Sequence, residues 1–438
     1  MKKIILGALA ALCAISCCNG NYLKQVRPER MGMSSERLAL ADGIIEQAIA
    51  DSIAPGMVLA VVREDKLVYL KAYGNKQVVP EVEPMTVDGI FDLASLSKCV
   101  GTTMSFMQLI DDGKVRLTDD VDRYIEGFEP WVDPESEYGK AYLIKHDSEI
   151  HGTPLPKNFE MPRREEGNVD WVTVQDLLTH SSGLPAYLSV ARCNERFGGL
   201  DDTPDSTMHY IATELPRTFR PGTNFRYSCL NFVTLQNILQ NVTGQKLCDY
   251  AKEHVFDVLG MKNTCYFPIG CDIDPEVYKN IVPTEVQADG LPYRGQVHDP
   301  IANILNYGNS GNAGVFSCAK DLAILAAAIM NGGEHNGHRI LSPMMIERMS
   351  AVPEDNAPEI GRALGWDNYS DYASNRGDIF SRHRTLGHTG YTGTSMIIDL
   401  DAKTAVILLS NRVHPLDKGS MVRTRALVAN VVASSILE

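Results

Sequence analysis

Apolar positions along the chain change period several times, and the changes mark its elements. Ser34 and Ser35 stand before Leu38, Ala41, Ile44, Ile45, Ala48 and Ile49. Spacings of three and four behind a capping hydroxyl predict an amphipathic helix. Residues 57–62 and 67–73 form two apolar, β-branched runs around polar residues 63–66, the pattern of a hairpin. The far end mirrors it: 395–400 and 404–410 flank Asp401-Ala402-Lys403, and 421–437 reads as a closing helix. Two hairpins at opposite ends, each beside a helix, predict one antiparallel sheet assembled from both termini with helices on a face. In between the period is helical. Residues 97–110 stop at Gly113, 173–179 run into Ser181-Ser182-Gly183-Leu184-Pro185, 230–243 stop at Gly244, and 320–330 stop at Gly332-Gly333; glycine after a helical run is a common stop. Residues 128–168 differ, because Pro130, Pro134, Pro154, Pro156 and Pro162 and frequent carboxylates predict an exposed insertion without regular elements. The expected class is α/β in the α+β sense, with a sheet lobe and a helical lobe interleaved.

Composition narrows the function classes. With 44% apolar and 22% charged residues in 438, the chain is neither a disordered tail, nor collagenous, nor a polytopic membrane protein. The 41 Lys and Arg against 55 Asp and Glu give −14, with no basic run, so nucleic acid is not an expected partner. Lys2 and Lys3, an apolar stretch over 4–15 and Ser16 predict a signal peptide over 1–16. Ala14-Ile15-Ser16-Cys17 resembles the lipobox of bacterial lipoproteins. That resemblance implies lipidation of Cys17, a tether over 17–32, and an exported protein of the periplasm or envelope held to a membrane by its lipid; the remainder, 33–438, is expected to form one two-lobed domain. Cys265 and Cys271 are spaced to permit one disulfide. His335 and His338 stand in a glycine-rich turn, no zinc spacing appears, and neither metal nor other cofactor is expected.

The Gly-x-Ser-x-Gly elbow of α/β hydrolases is absent; Gly308-Asn309-Ser310-Gly311-Asn312 lacks the last glycine. Ser-x-x-Lys, which puts a hydroxyl and an amine one helical turn apart, occurs at Ser95–Lys98 and at Ser317–Lys320. Ordinary Ser and Lys usage supplies about one or two such pairs by chance, and a capping serine with a solvated lysine explains either equally well.

Larger segments distinguish them. Phe91-Asp92-Leu93-Ala94-Ser95-Leu96-Ser97-Lys98 resembles the active-site helix start of the serine β-lactamase and penicillin-binding family, in the branch with class C β-lactamases, esterases and D-amino-acid peptidases. Pro55-Gly56-Met57, residues 173–185, Pro221-Gly222 before Tyr227-Ser228, and Gly387-His388-Thr389-Gly390-Tyr391 resemble its other landmarks, in order. On this alignment Ser317 and Lys320 belong to a helix cap. The resemblance implies Ser95 as nucleophile, Lys98 as its activator, and Tyr227 as a phenol whose pKa Lys98 lowers toward neutrality. It implies an oxyanion hole from the N–H groups of Ser95 and Tyr391, with His388 and Gly390 as substrate-binding residues.

Two positions depart from the family. Cys229 stands where Asn or Asp is usual, and a thiol is too weak a donor and acceptor to orient Lys98; Asn231 is the available substitute. His388 stands where Lys is usual, and a neutral imidazole binds a carboxylate less well, which favours peptidase or esterase activity over a dedicated β-lactamase. The expected function is hydrolysis of an amide or ester through acyl-Ser95, on a small molecule or on D-amino-acid peptides of cell-wall origin. The alternatives are a carboxylesterase, a β-lactamase, or a penicillin-binding or sensing protein with impaired turnover.

Overall fold

The computed structural model describes residues 22–188 and 203–438. Cys17 and the expected signal peptide lie outside them. Six strands form the main sheet: β1 (Gly56–Arg63), β2 (Lys66–Gln77), β3 (Glu83–Pro84), β4 (Thr385–Thr389), β5 (Ser395–Asp399) and β6 (Thr404–Ser410), in the order β4-β5-β6-β1-β2-β3. The terminal hairpins join through β1 and β6, antiparallel from Met57 opposite Ser410 to Arg63 opposite Thr404. The sheet built from both ends is therefore present.

Alternation along β1 explains why helices cover both of its faces. Met57, Leu59 and Val61 pack with Ala41 and Ile45 of helix Leu40–Ala50 and with Val428 and Val432 of helix Val422–Ser434. Val58, Ala60 and Val62 point the other way into the core holding helix Ala319–Met330. That core continues into the helical lobe, through Leu177 and Leu178 of helix Val174–Leu178 and Leu235 and Ile238 of helix Cys229–Thr243. No helix among the described residues is long and apolar enough to cross a membrane.

Three expectations need correction. Residues 128–168 contain a regular helix, Glu137–His151, capped by Ser136 and closed by Gly152 in the left-handed region. Pro134 and Pro154 flank it instead of interrupting it, and Lys145 pairs with Glu149 one turn away. Residues 22–32, expected in the tether, dock on the fold: Val26 N–H donates to the Leu67 carbonyl at 3.0 Å and Leu23 is buried. Ser317 ends strand Val315–Ser317, sharing its hydroxyl with Thr264 at 2.7 Å, while Cys318 caps the helix and Lys320 pairs with Asp88 at 2.7 Å. Cys265 and Cys271 are free thiols.

Candidate active site

Where the sheet lobe meets the helical lobe, the chain turns sharply. Ala94 adopts φ of 45°, and Asp92 Oδ1 holds its N–H at 2.8 Å. A non-glycine residue in this region costs on the order of 1–3 kcal/mol and persists only when its surroundings impose it. Asp92, fully buried, also accepts the His298 N–H at 2.8 Å. Beyond a short 3-10 turn the helix runs through wide turns over Lys98–Thr103 before becoming regular at Met104, and the Thr103 hydroxyl binds the Lys98 carbonyl five residues back. Ser95 is the residue between Phe91 and Val100 that is not buried. Its hydroxyl therefore opens on solvent from an otherwise packed segment.

Lys98 is wholly buried and its Nζ reaches three acceptors: Ser95 Oγ at 3.1 Å, the Asn312 carbonyl at 2.8 Å and Cys229 Sγ at 3.5 Å. Three acceptors suit the three donors of an ammonium. Burial opposes that charge, but Cys229 and Tyr227 favour it and the balance raises the Lys98 pKa. The thiol thus touches Lys98, contrary to expectation, because Cys229 is the first residue of its helix and stands over the amine. Asn231 is no substitute: it takes the Ser182 hydroxyl at 2.6 Å and faces His180 Nδ1 at 3.2 Å.

The Tyr227 ring centroid lies 5.1 Å from Lys98 Nζ and 4.5 Å from the ring of His180. Its buried hydroxyl makes no hydrogen bond of ordinary geometry, although Ser95 and Lys98 stand beside it. Burial raises the Tyr227 pKa and Lys98 only offsets part of this, so the expected shift toward neutrality is reversed. At rest the pair is ammonium and phenol.

Strand β4, which the apolar pattern did not reveal, carries Gly387, His388 and Thr389 of the Gly387–Tyr391 segment. Burial, then the Arg362 and Lys98 charges, hold His388 well below the usual imidazole range. His388 Nδ1 lies 2.9 Å from the Thr389 carbonyl, which can only accept, so Nδ1 bears the proton and the buried, unpartnered Nε2 a lone pair. Gly390 is required by space, since a Cβ there would stand 2.2 Å from the Leu93 carbonyl oxygen. The following turn is tied to the serine segment by Thr392 Oγ1 to the Asp92 carbonyl at 2.8 Å and Thr394 Oγ1 to the Leu93 carbonyl at 2.9 Å. Arg425 binds the Gly390 carbonyl at 3.1 Å and Arg412 the Tyr391 carbonyl at 2.7 Å. These bonds fix the Tyr391 peptide relative to Ser95, the arrangement two converging N–H donors need.

Ser95, Tyr227, His388, Gly390 and Tyr391 all line one cavity of about 410 Å³, and Arg362 joins them. Sequence reasoning missed Arg362, Asp92, Thr392, Thr394, Arg425 and His180. Their only signals were two isolated arginines, ordinary hydroxyls, and an aspartate and a histidine given no role inside the matched 91–98 and 173–185 segments. His180, with φ of 58°, accepts the Ser228 N–H at 3.1 Å and so positions the Tyr227 loop.

This fold, with a Ser-x-x-Lys serine open to a cavity between its lobes, defines the class of β-lactamase and transpeptidase-like serine hydrolases. A family model described as Beta-lactamase matches residues 41–430, and the chain belongs to that family. A protein of Escherichia coli O157:H7 named "Putative D-alanyl-D-alanine carboxypeptidase" is 27% identical, the match covering 94% of this chain and 92% of that one. Among solved structures, EstCE1, a hydrolase with promiscuous acyltransferase activity, superposes with a TM-score of 0.65 at 20% identity, over 91% of this chain and 99% of that one. An octameric penicillin-binding protein homologue from Pyrococcus abyssi gives 0.61 at 22%, over 90% and 76%. These structures share the fold.

Proposed function

We propose that the protein is an exported, lipid-anchored serine peptidase that cleaves D-amino-acid-ended peptides of cell-wall origin through an acyl-Ser95 intermediate. The observation that carries this reading is Arg362. It is 1% exposed, pairs with Asp367 at 3.2 Å, and leaves Nε and Nη2 buried without acceptors on a wall of the Ser95 cavity. A guanidinium edge with unused donors fits a carboxylate. The neutral His388, with a lone pair at Nε2, does not. The name of the E. coli relative supports the same substrate class.

In this mechanism the Lys98–Tyr227 pair first gives up one proton to solvent; Ser95 Oγ then attacks the carbonyl and its proton passes to that pair. The N–H groups of Ser95 and Tyr391 hold the oxyanion, Tyr227 protonates the leaving amine, and water then releases the acyl group. Arg362→Gln is expected to lower kcat/KM for an acyl-D-Ala-D-Ala peptide about 100-fold more than for a neutral p-nitrophenyl ester, since a charge-assisted pair in a desolvated site is worth a few kcal/mol. Equal losses on both would sink the carboxylate anchor. Because the resting pair holds one proton too many to act as base, the rate of Ser95 labelling by a fluorophosphonate should rise steadily from pH 6 to 9. No inflection near 6.5 is expected, because burial keeps His180 and His388 neutral throughout that range.

The carboxylesterase is the second reading, favoured by the absence of a lysine at His388. D-Ala-D-Ala peptides, aryl esters and nitrocefin assayed in parallel separate the readings. Turnover of esters alone favours the esterase, turnover of nitrocefin the β-lactamase, and labelling without turnover a sensor.

A further inference from the structure

A second cavity, of about 440 Å³, also opens at Ser95, sharing Tyr227 and Tyr391 with the first, and its walls include Tyr187, Cys229, Asp299 and Asp417. Asp299 and Asp417 give it the opposite sign to the first, where Arg362, Arg412 and Arg425 outnumber Asp367, and its His298 Nε2 lies 3.1 Å from Glu285. The two carboxylates in it are not equivalent. Asp417 is already satisfied by Arg412 Nη1 at 2.7 Å and by the Tyr391 hydroxyl. Asp299 has no ion pair among the described residues: Oδ1 accepts the Ala302 N–H at 2.9 Å and Asn312 Nδ2 at 3.0 Å, and Oδ2 takes no hydrogen bond there. Lys98, whose charge Asp299 helps to sustain, has all three donors engaged elsewhere. The rings of Tyr187 and Tyr391 share the cavity with Asp299, and aromatic faces attract a desolvated cation.

We infer that Asp299 is the anchor of an acyl-side subsite for a substrate ammonium group, so that the site selects peptides whose acyl half carries a free amine, as a diamino acid residue does. The inference deepens the peptidase reading, in which Arg362 holds the carboxylate of the leaving half. A substrate negative at one end and positive at the other can then lie across Ser95 in one direction only. Charge complementarity of this kind sets selection and orientation more than raw affinity. Asp299 also braces the Asn312 loop that holds Lys98, so its test must separate binding from bracing.

Two alkyl fluorophosphonates of equal length, one ending in trimethylammonium and one in tert-butyl, provide that test, because both react with Ser95 whatever the natural substrate. The wild type should be labelled about fivefold faster by the cationic probe, the upper end of what one partly exposed charge pair allows. In Asp299→Asn the cationic-to-neutral ratio should fall to about one, and Asp299→Glu should restore a preference. A wild-type ratio near one, or an Asp299→Asn protein that slows with both probes and keeps the ratio, would overturn the inference. Lysyl-D-Ala-D-Ala peptides with a free and an acetylated side-chain amine are assayed beside the probes. If neither is cleaved while the probe preference stands and needs Asp299, the peptidase reading fails and the subsite survives.

Discussion

Lys98→Met is expected to slow phosphonylation of Ser95 by about 10²–10⁴-fold, the usual range for loss of a positioned proton acceptor. The side chain is wholly buried between Ser95 Oγ, the Asn312 carbonyl and Cys229 Sγ. Methionine fills nearly the same volume, so packing around Phe232 and Tyr227 is retained while the amine is lost. The orphaned Asn312 carbonyl costs about 1–3 kcal/mol of stability, which a melting curve will show. The informative comparison is the pH profile. Wild-type labelling should climb with pH, whereas the residual rate in Lys98→Met should lose the part of that climb that belongs to the ammonium. Labelling of Lys98→Met at the wild-type rate would remove Lys98 from the chemistry and leave it a structural cation.

Gly390→Ala should reduce labelling about 10²–10³-fold, comparable to loss of one oxyanion donor. The added Cβ would lie 2.2 Å from the Leu93 carbonyl oxygen and 2.2 Å from Thr394 Oγ1. The first of these is backbone and cannot turn away, so the end of β4 must retreat from the segment that carries Ser95. The Tyr391 N–H retreats with it. Gly387→Ala is the control on the same strand, since its Cβ would meet the Asn375 side chain at 3.0 Å, an amide that can shift. Wild-type labelling of Gly390→Ala would mean that the Tyr391 peptide is not part of the hole.

Much of the fold was legible because hydrophobic period is a local property that the sheet makes global. Residues 57–62 and 404–410 read as strands from their own side chains, and both are buried on two faces, as continuous apolar runs require. Strand β4 was not legible: Thr-Leu-Gly-His-Thr has neither alternation nor an apolar run, and it becomes a strand by pairing with β5 from Thr385 opposite Asp399 to Thr389 opposite Ser395. The helix Glu137–His151 was hidden for the converse reason. It buries little, so its apolar positions carry no clear period, and flanking prolines dominate the local reading.

The sequence by itself determined which residues could meet at the site, since Ser95, Lys98, Tyr227 and the His388–Tyr391 segment each sit in a string specific enough to place them together. Tertiary structure decided their charges. Lys98 is an ammonium because three acceptors from distant segments converge on it, and Tyr227 a phenol because burial outweighs that neighbour. His388 is neutral with a fixed tautomer because it is buried near Arg362 and bonded to Thr389. Arg362 and Asp299, far apart in sequence, come to line two cavities that share Ser95 only after folding. Protonation depends on desolvation and on the partners that folding supplies, and neither exists along an extended chain.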